Sequence, residues 1–130
     1  KPKVAFIAAS EQVLDSMPAC MEAAALAKMA ERGQIKGCIA DGPLALDVAI
    51  DKESVEIKKL TTPVAGDADC LVFPNIESAN VFWKTNSKLA PGVRQAGMLV
   101  GTTAPCILAS RADSVDTKLN SIAEAVMSVK

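Results

Sequence analysis

The sequence predicts an α/β protein. Short apolar runs alternate along the chain with longer stretches of 3.6-residue periodicity, the pattern of strands layered against helices. The first run, KVAFIAAS, is almost continuously apolar, as a strand covered on both faces has to be. The scale agrees: 130 residues, half of them apolar, suit one domain or a substantial piece of a larger one.

KVAFIAAS is the first strand. Ser16 is placed to cap the next helix, with Pro18 in the first turn, where the missing N–H has no partner to lose. Met21, Ala25 and Met29 recur at i, i+4 as its apolar stripe, and Gly33 ends it. IKGCIADG is a second short strand that stops at the turn Asp41-Gly42-Pro43. LALDVAIDKESVEIKKL holds one or two short helices, and TTPVAGDA, with Pro63 and Gly66, is a loop. DCLVFP is a third strand, stopped by Pro74. NIESANVFWKTNSKLAPG reads as a helix with Asn75 as its cap, with Ile76, Ala79 and Trp83 on one face and Pro91-Gly92 at its end. QAGMLVGTTAPCILASR contains two strand-like runs separated by Gly101 to Pro105. The final helix begins near Ser114, with Leu119, Ile122, Ala123, Val126 and Val129 as its apolar stripe.

Composition narrows the functions. The formal charge is −1 with basic residues scattered, which leaves no footprint for nucleic acid. The aromatic residues are Phe6, Phe73, Phe82 and Trp83, too few for base-stacking platforms. No apolar run approaches the roughly 18–20 residues of a membrane span, so no membrane partner is expected. The basic-then-apolar start is too short for a signal peptide. Cys20, Cys38, Cys70 and Cys106 lie far apart without a C-x-x-C pair, and no histidine completes a zinc site. They read as buried thiols of a cytoplasmic protein, with no metal site. Without histidine or tyrosine, a general base must be Asp, Glu, Lys or Cys, or must come from another part of the protein.

One junction stands out. Arginine occurs only as Arg32, Arg94 and Arg111, and Arg111 follows the apolar run Cys106-Ile107-Leu108-Ala109 and Ser110 directly. Open α/β sheets bind ligands at the carboxyl ends of strands, where helix N-termini point free N–H groups outward. Arg111 offers a planar fork of donors suited to phosphate or carboxylate, and Ser110 adds a hydroxyl. The plainer reading of the same spacing is that Asp113 or Ser114 caps the helix and Arg111 pairs with a surface carboxylate.

SRADSVDTKLNSIAEA resembles the C-terminal signature of the phosphate acetyl/butyryltransferase family, the phosphate acyltransferases. ADGPLALDVAID is similar to that family's DGPLALD stretch. TPVAGDADCLVFPNIESANVFWK is similar to its PVAG-x-AD-x-L-x-x-P-[DN]-[IL]-E-[AS]-[GA]-N-x-x-[YW]-K stretch. Order and spacing agree over essentially the whole chain, and the SRADS and GPLALD wording lies closer to the butyryl branch. The resemblance implies an open, largely parallel α/β sheet with helices on both faces, related to isocitrate and isopropylmalate dehydrogenases, with the site in a cleft between two domains. It implies transfer of a short acyl group, butyryl or acetyl, between CoA and inorganic phosphate. Acyl-CoA, phosphate and acyl phosphate are then the partners, CoA is a substrate, no cofactor is tightly bound, and a homodimer is expected. Residues 1–108 become the second, C-terminal domain, and residues 109–130 the returning segment and helix of the first. The rest of that first domain is the N-terminal half of the same protein, which also holds the family's other active-site arginine. This piece alone is then expected to be inactive.

The resemblance carries the family's Ser-Arg pair onto Ser110 and Arg111. Attack of phosphate on the acyl carbon builds negative charge that a fixed guanidinium and hydroxyl can stabilise. The acetyl branch has an aspartate six residues after that arginine, where this chain has Thr117. Asp116 stands one residue earlier and Asp113 four earlier, and one residue turns a helical side chain by about 100°. Asp113 and Asp116 both stay candidates for the base, with helix capping and the helix dipole as the other reading. Asn80 and Lys84 fall toward CoA, with Lys84 against a CoA phosphate. The other reading has Asn80 facing a neighbouring loop and Lys84 solvated. Asp41-Gly42-Pro43 and Asp47 read as turn and helix-start structure, and Trp83 as a core or interface anchor. A non-catalytic acyl-CoA-sensing phosphotransacetylase-like domain is the alternative function. A dehydrogenase relative is disfavoured, because the chain has neither a clustered Asp pair nor a G-x-G-x-x-G fingerprint.

Overall fold

The computed structural model describes residues 1–129. The chain forms two compact units, Lys1–Asn80 and a second from Val81 onward. In chain order the elements are β1 (Lys3–Ile7), α1 (Pro18–Glu31), β2 (Ile39–Leu44), α2 (Leu46–Ile50), α3 (Lys52–Lys58), β3 (Cys70–Val72), α4 (Ile76–Leu89) and α5 (Val115–Met127). Among the described residues no helix is long and apolar enough to cross a membrane.

The first unit is an α/β layer. Its three strands run parallel in the order β2-β1-β3. The most apolar run of the sequence therefore becomes the central strand, flanked on both edges. Successive side chains of β1 alternate between the two faces of the sheet. Ala5 and Ile7 join Leu44, Val48, Ala49 and Val64 in the core, with α2 packed against β1. Phe6 points the other way and lines a small cleft with Ala19, Ala23 and Leu26 of α1. Helices thus cover both faces of this sheet. Val48 and Val64 are 0% exposed, and full burial of such side chains contributes about 1.5–3 kcal/mol each.

Local signals fix several element ends. Pro18 begins α1, but the cap position is Met17, and no side chain caps it. Ser16 is thus not the cap. At the other end, the Gly33 amide donates to Ala30 O at 3.0 Å and the Gln34 amide to Met29 O at 2.9 Å. Gly33 takes the left-handed conformation that this pair of closing bonds requires (φ +76°). The expected stripe Met21, Ala25 and Met29 is exposed, and Cys20 and Ala23 are the buried residues of α1. The helix period was read correctly and its phase was not. Small side chains let α1 lie close to the sheet, while the two methionines stay outside.

The turn expected at Asp41-Gly42-Pro43 lies inside β2. The Gly42–Pro43 peptide is cis, and the pairing register of β1 shifts between Ala5 and Ile7 at this point. A Cβ on Gly42 would stand 2.7 Å from Phe6 Cβ and 2.8 Å from Phe6 O, so only glycine lets β2 approach β1 so closely. Pairing resumes past the irregularity, where the Ala8 amide donates to Leu44 O at 2.9 Å.

Asp51 joins α2 to α3. Its amide donates to Asp47 O at 2.8 Å, and its carboxylate accepts the Ser54 amide at 2.8 Å and the Ser54 hydroxyl at 2.6 Å. The hydroxyl holds the Asp51 carboxyl below the usual range. Lys58 lies 2.9 Å from Glu11 and 3.0 Å from Asp47. Its hydrogen bonds to Glu11 and then Asp47 raise the Lys58 ammonium, and Lys58 lowers the Asp47 carboxyl. Lys3, 2.7 Å from Asp67, lowers that carboxyl likewise.

The second unit has little regular sheet. The two strand-like runs expected between Gln95 and Arg111 form one isolated antiparallel bridge, Leu99 to Cys106, with 2.8 Å between Leu99 N and Cys106 O. A strand needs a row of backbone partners, and among the described residues these runs find almost none. The stripe expected on α5 is also outward: Leu119, Ile122, Ala123, Val126 and Val129 are exposed. The buried residue of α5 is Ser121, whose hydroxyl accepts the Gly97 amide at 3.0 Å and donates to Thr117 O at 2.8 Å. On α4, Ala79 and Trp83 are partly buried and Ile76 is exposed. All four cysteines are free, but Cys20 alone is buried; Cys70 is exposed and Cys38 and Cys106 are partly buried.

Candidate active site

Side chains cap both α4 and α5, the second directly after the polar turn that follows the last apolar run. Asn75 starts α4, its side chain accepting the Ser78 amide at 2.9 Å, as the sequence indicates. Ser114 starts α5, its hydroxyl accepting the Thr117 amide at 3.1 Å and lying 3.0 Å from the Thr117 hydroxyl. Thr117 therefore serves the cap. Helix capping falls to Ser114, which leaves Asp113 available for other contacts.

Asp113 is the most connected residue of the turn. Its Oδ2 accepts the Ser110 amide at 2.8 Å, and its own amide donates to Ser110 O at 3.1 Å. Its Oδ1 lies 3.4 Å from Lys84 Nζ of α4, with the Asp113 side chain 9% exposed and that of Lys84 38% exposed. At that distance the pair is longer than the usual 2.7–2.9 Å of a close ionic hydrogen bond. Lys84 is thus neither freely solvated nor fully occupied, since an ammonium has three donors. The Ser110 hydroxyl accepts a long bond from the Ala112 amide at 3.4 Å.

Arg111 is exposed, within a turn. It does not end a strand, because the preceding residues pair only at Cys106. Its carbonyl lies 3.5 Å from Lys118 Nζ. Lys118 was absent from the sequence-based site. The signal that could have found it is the spacing of four from the cap Ser114, which puts Lys118 one helical turn above the cap. Asp116 is exposed in the first turn of α5. Asn80 is exposed on α4 and belongs to the first unit.

The structure therefore brings Lys84, Ser110, Arg111 and Asp113 to one turn, with Lys118 at its edge. Lys84 faces the Asp113 carboxylate at 3.4 Å, Lys118 faces the Arg111 carbonyl at 3.5 Å, and the Ser110 hydroxyl lies in the same turn. Such a set can receive an anion and stabilise charge that grows on it.

The chain matches the family described as phosphate acetyl/butaryl transferase over residues 1–126. It is 52% identical over 126 residues to the phosphate butyryltransferase of Clostridium acetobutylicum, covering 97% of this chain and 42% of that protein. It is 50% identical over 122 residues to the phosphate acetyltransferase of Thermotoga maritima, covering 94% of this chain and 41% of that protein. The crystal structure of a branched-chain phosphotransacylase from Enterococcus faecalis V583 matches with a TM-score of 0.85 at 34% identity, over 96% of this chain and 44% of the other. The chain thus spans about two-fifths of the length of the curated relatives it matches. It belongs to the phosphate acetyl/butyryltransferase family.

Proposed function

We propose that this chain is the C-terminal part of a phosphate acyltransferase that moves a short acyl group, butyryl or acetyl, between CoA and inorganic phosphate. The observation that carries the reading is the convergence of Ser110, Arg111 and Lys84 on one polar turn in a member of this family. A phosphate oxygen attacks the thioester carbonyl carbon, the C–S bond breaks, acyl phosphate forms, and the CoA thiolate leaves and takes a proton. Negative charge grows on the carbonyl oxygen and is spread over the phosphate. The Arg111 guanidinium holds the phosphate through its planar fork, and the Ser110 hydroxyl donates to the developing charge. Asp116, exposed at the start of α5, is the proton carrier for the CoA sulfur. Lys84 gives a remaining donor to a CoA phosphate, and Asn80, also exposed on α4, binds the same substrate.

The rest of the site belongs to the N-terminal half of the same protein. Residues 1–108 form the second domain, and residues 109–130 return to the first. The whole protein is read as a cytoplasmic homodimer, and the unpaired state of all four cysteines suits a reducing compartment.

The test is turnover by the full-length protein, followed as thiol release from acetyl-, propionyl- and butyryl-CoA in the presence of phosphate. Arg111→Ala is expected to lower kcat by about 10²–10³-fold, the usual effect of removing a donor aimed at developing charge. Arg111→Lys keeps the charge, loses the fork, and is expected to fall between. Near-normal turnover by Arg111→Ala sinks the reading.

A further inference from the structure

We infer, resting on the acyl-transfer reading above, that Asp113 is a positioning residue, and that its carboxylate holds the Ser110–Arg111 turn in shape and takes no proton from a substrate. The two bonds between Asp113 and Ser110 run in opposite directions, amide to carboxylate at 2.8 Å and amide to carbonyl at 3.1 Å. They close the chain on itself around Arg111 and Ala112, so the residues between them have both ends fixed. The second oxygen of the same carboxylate faces Lys84 at 3.4 Å. The two oxygens thus face an amide and an ammonium, and the side chain is 9% exposed.

A general base needs a lone pair within about 2.6–3.2 Å of the proton it takes. A carboxylate has roughly four acceptor directions. Here two are directed at protein donors, and little of the remainder reaches solvent. Asp116, three residues on and exposed, has the access that Asp113 lacks. The turn is tied from two helices. Lys84 of α4 reaches it through the Asp113 carboxylate, and Lys118 of α5 reaches it at the Arg111 carbonyl, 3.5 Å away. Arginine has a long side chain with many rotamers, so fixing its backbone narrows where the guanidinium can stand. A displacement of about 1 Å at a reacting group can cost on the order of 10²-fold in rate.

The experiment uses the full-length protein with Asp113→Asn and Asp113→Ala. Asparagine keeps an oxygen that can accept the Ser110 amide, but it cannot act as a base. Turnover with butyryl-CoA and phosphate is expected to fall by about 3–10-fold in the asparagine variant and by about 10²-fold in the alanine variant. The acid limb of the kcat–pH profile is expected to stay at its wild-type position in Asp113→Asn. Exchange of the Ser110 amide is expected to quicken by about tenfold or more in Asp113→Ala, where its charged acceptor is gone, and to stay slow in Asp113→Asn. Equal loss of activity in both variants, with the acid limb gone, makes Asp113 the base and overturns the inference. So does a Ser110 amide that stays protected in Asp113→Ala. Should alanine prevent folding, Asp113→Asn still decides the question: an acid limb that stays in place with a loss of about 3–10-fold supports the inference, and an acid limb that disappears overturns it. If the wild-type protein turns over no acyl-CoA, the functional reading fails, and the clamp is then decided by amide exchange alone.

Discussion

The two units place their apolar residues in opposite ways. In the first, Ala5, Ile7, Leu44, Val48, Ala49 and Val64 pack into one core between sheet and helices. In the second, the one buried side chain among the described residues is Ser121, 3% exposed, while Val100 at 87%, Leu108 at 78% and Val115 at 79% face outward. Hydrophobic burial holds the first unit. In the second, caps and side-chain-to-backbone hydrogen bonds, such as Gly97 to Ser121, tie the segments together. An apolar stripe in a sequence tells which side of a helix is apolar, and the second unit shows that it does not tell what lies against that side.

The largest effect that sharpens this contrast comes from paired truncations. Leu44→Ala, at a site 3% exposed, is expected to destabilise the first unit by about 2–5 kcal/mol, the usual range for an emptied core position. Leu119→Ala, at a site 61% exposed, is expected to change the stability of this chain by no more than about 0.5 kcal/mol. Denaturant unfolding with amide exchange as the local probe measures both. Equal effects would erase the distinction between the units.

The next effect belongs to Ser121. Ser121→Ala leaves the Gly97 amide without its acceptor, and an orphaned buried donor costs about 1–3 kcal/mol. Faster exchange at Gly97, with the core of the first unit unchanged, is the expected pattern. Unaltered protection at Gly97 means that something other than this hydroxyl holds the segment.

The smallest effect is electrostatic and belongs to the first unit. Asp47, Asp51 and Asp67 have folded carboxyls lowered by Lys58, by the Ser54 hydroxyl and by Lys3 respectively. The unfolded chain then takes up protons before the folded one does. Their contribution is complete above the ordinary carboxylate pKa of about 4, and it is lost as pH falls through the lower folded values. These groups are exposed, so the loss should be shallow and should shrink in high salt. A thermal midpoint that does not drop between pH 5 and pH 3, or that drops equally at high salt, contradicts this account.

What could be read from the sequence was local. Asn75, Ser114 and the closing Gly33 each act within a few residues of themselves, and each does what its type and place suggest. KVAFIAAS was legible as a strand because it is apolar enough to need cover on both sides, and DCLVFP because its apolar run is stopped by Pro74. The runs around Leu99 and Ile107 have the same apolar character, yet strand pairing depends on distant backbone, and only Leu99 and Cys106 meet. In α1 the stripe of Met21, Ala25 and Met29 and the buried pair Cys20 and Ala23 fit the same period. The choice between them depends on how closely a helix approaches a sheet, which a hydropathy pattern does not encode. At the candidate site, Ser110 and Arg111 were legible as a motif. The approach of Lys84 to Asp113, 29 residues apart, had no signal in spacing, and it alters what each of the two can do.

Asp51 ends one helix and begins the next, with no residue between them. That sets where this chain can change length. A loop can absorb an added residue by bulging outward, a freedom that this joint lacks. At Asp51 an inserted residue would separate the amide that closes α2 from the carboxylate that opens α3. Two residues would then have to do what one does, and α3 would turn by about 100° relative to α2. Relatives of this chain should therefore differ in length on either side of this joint and keep a single short polar residue at it.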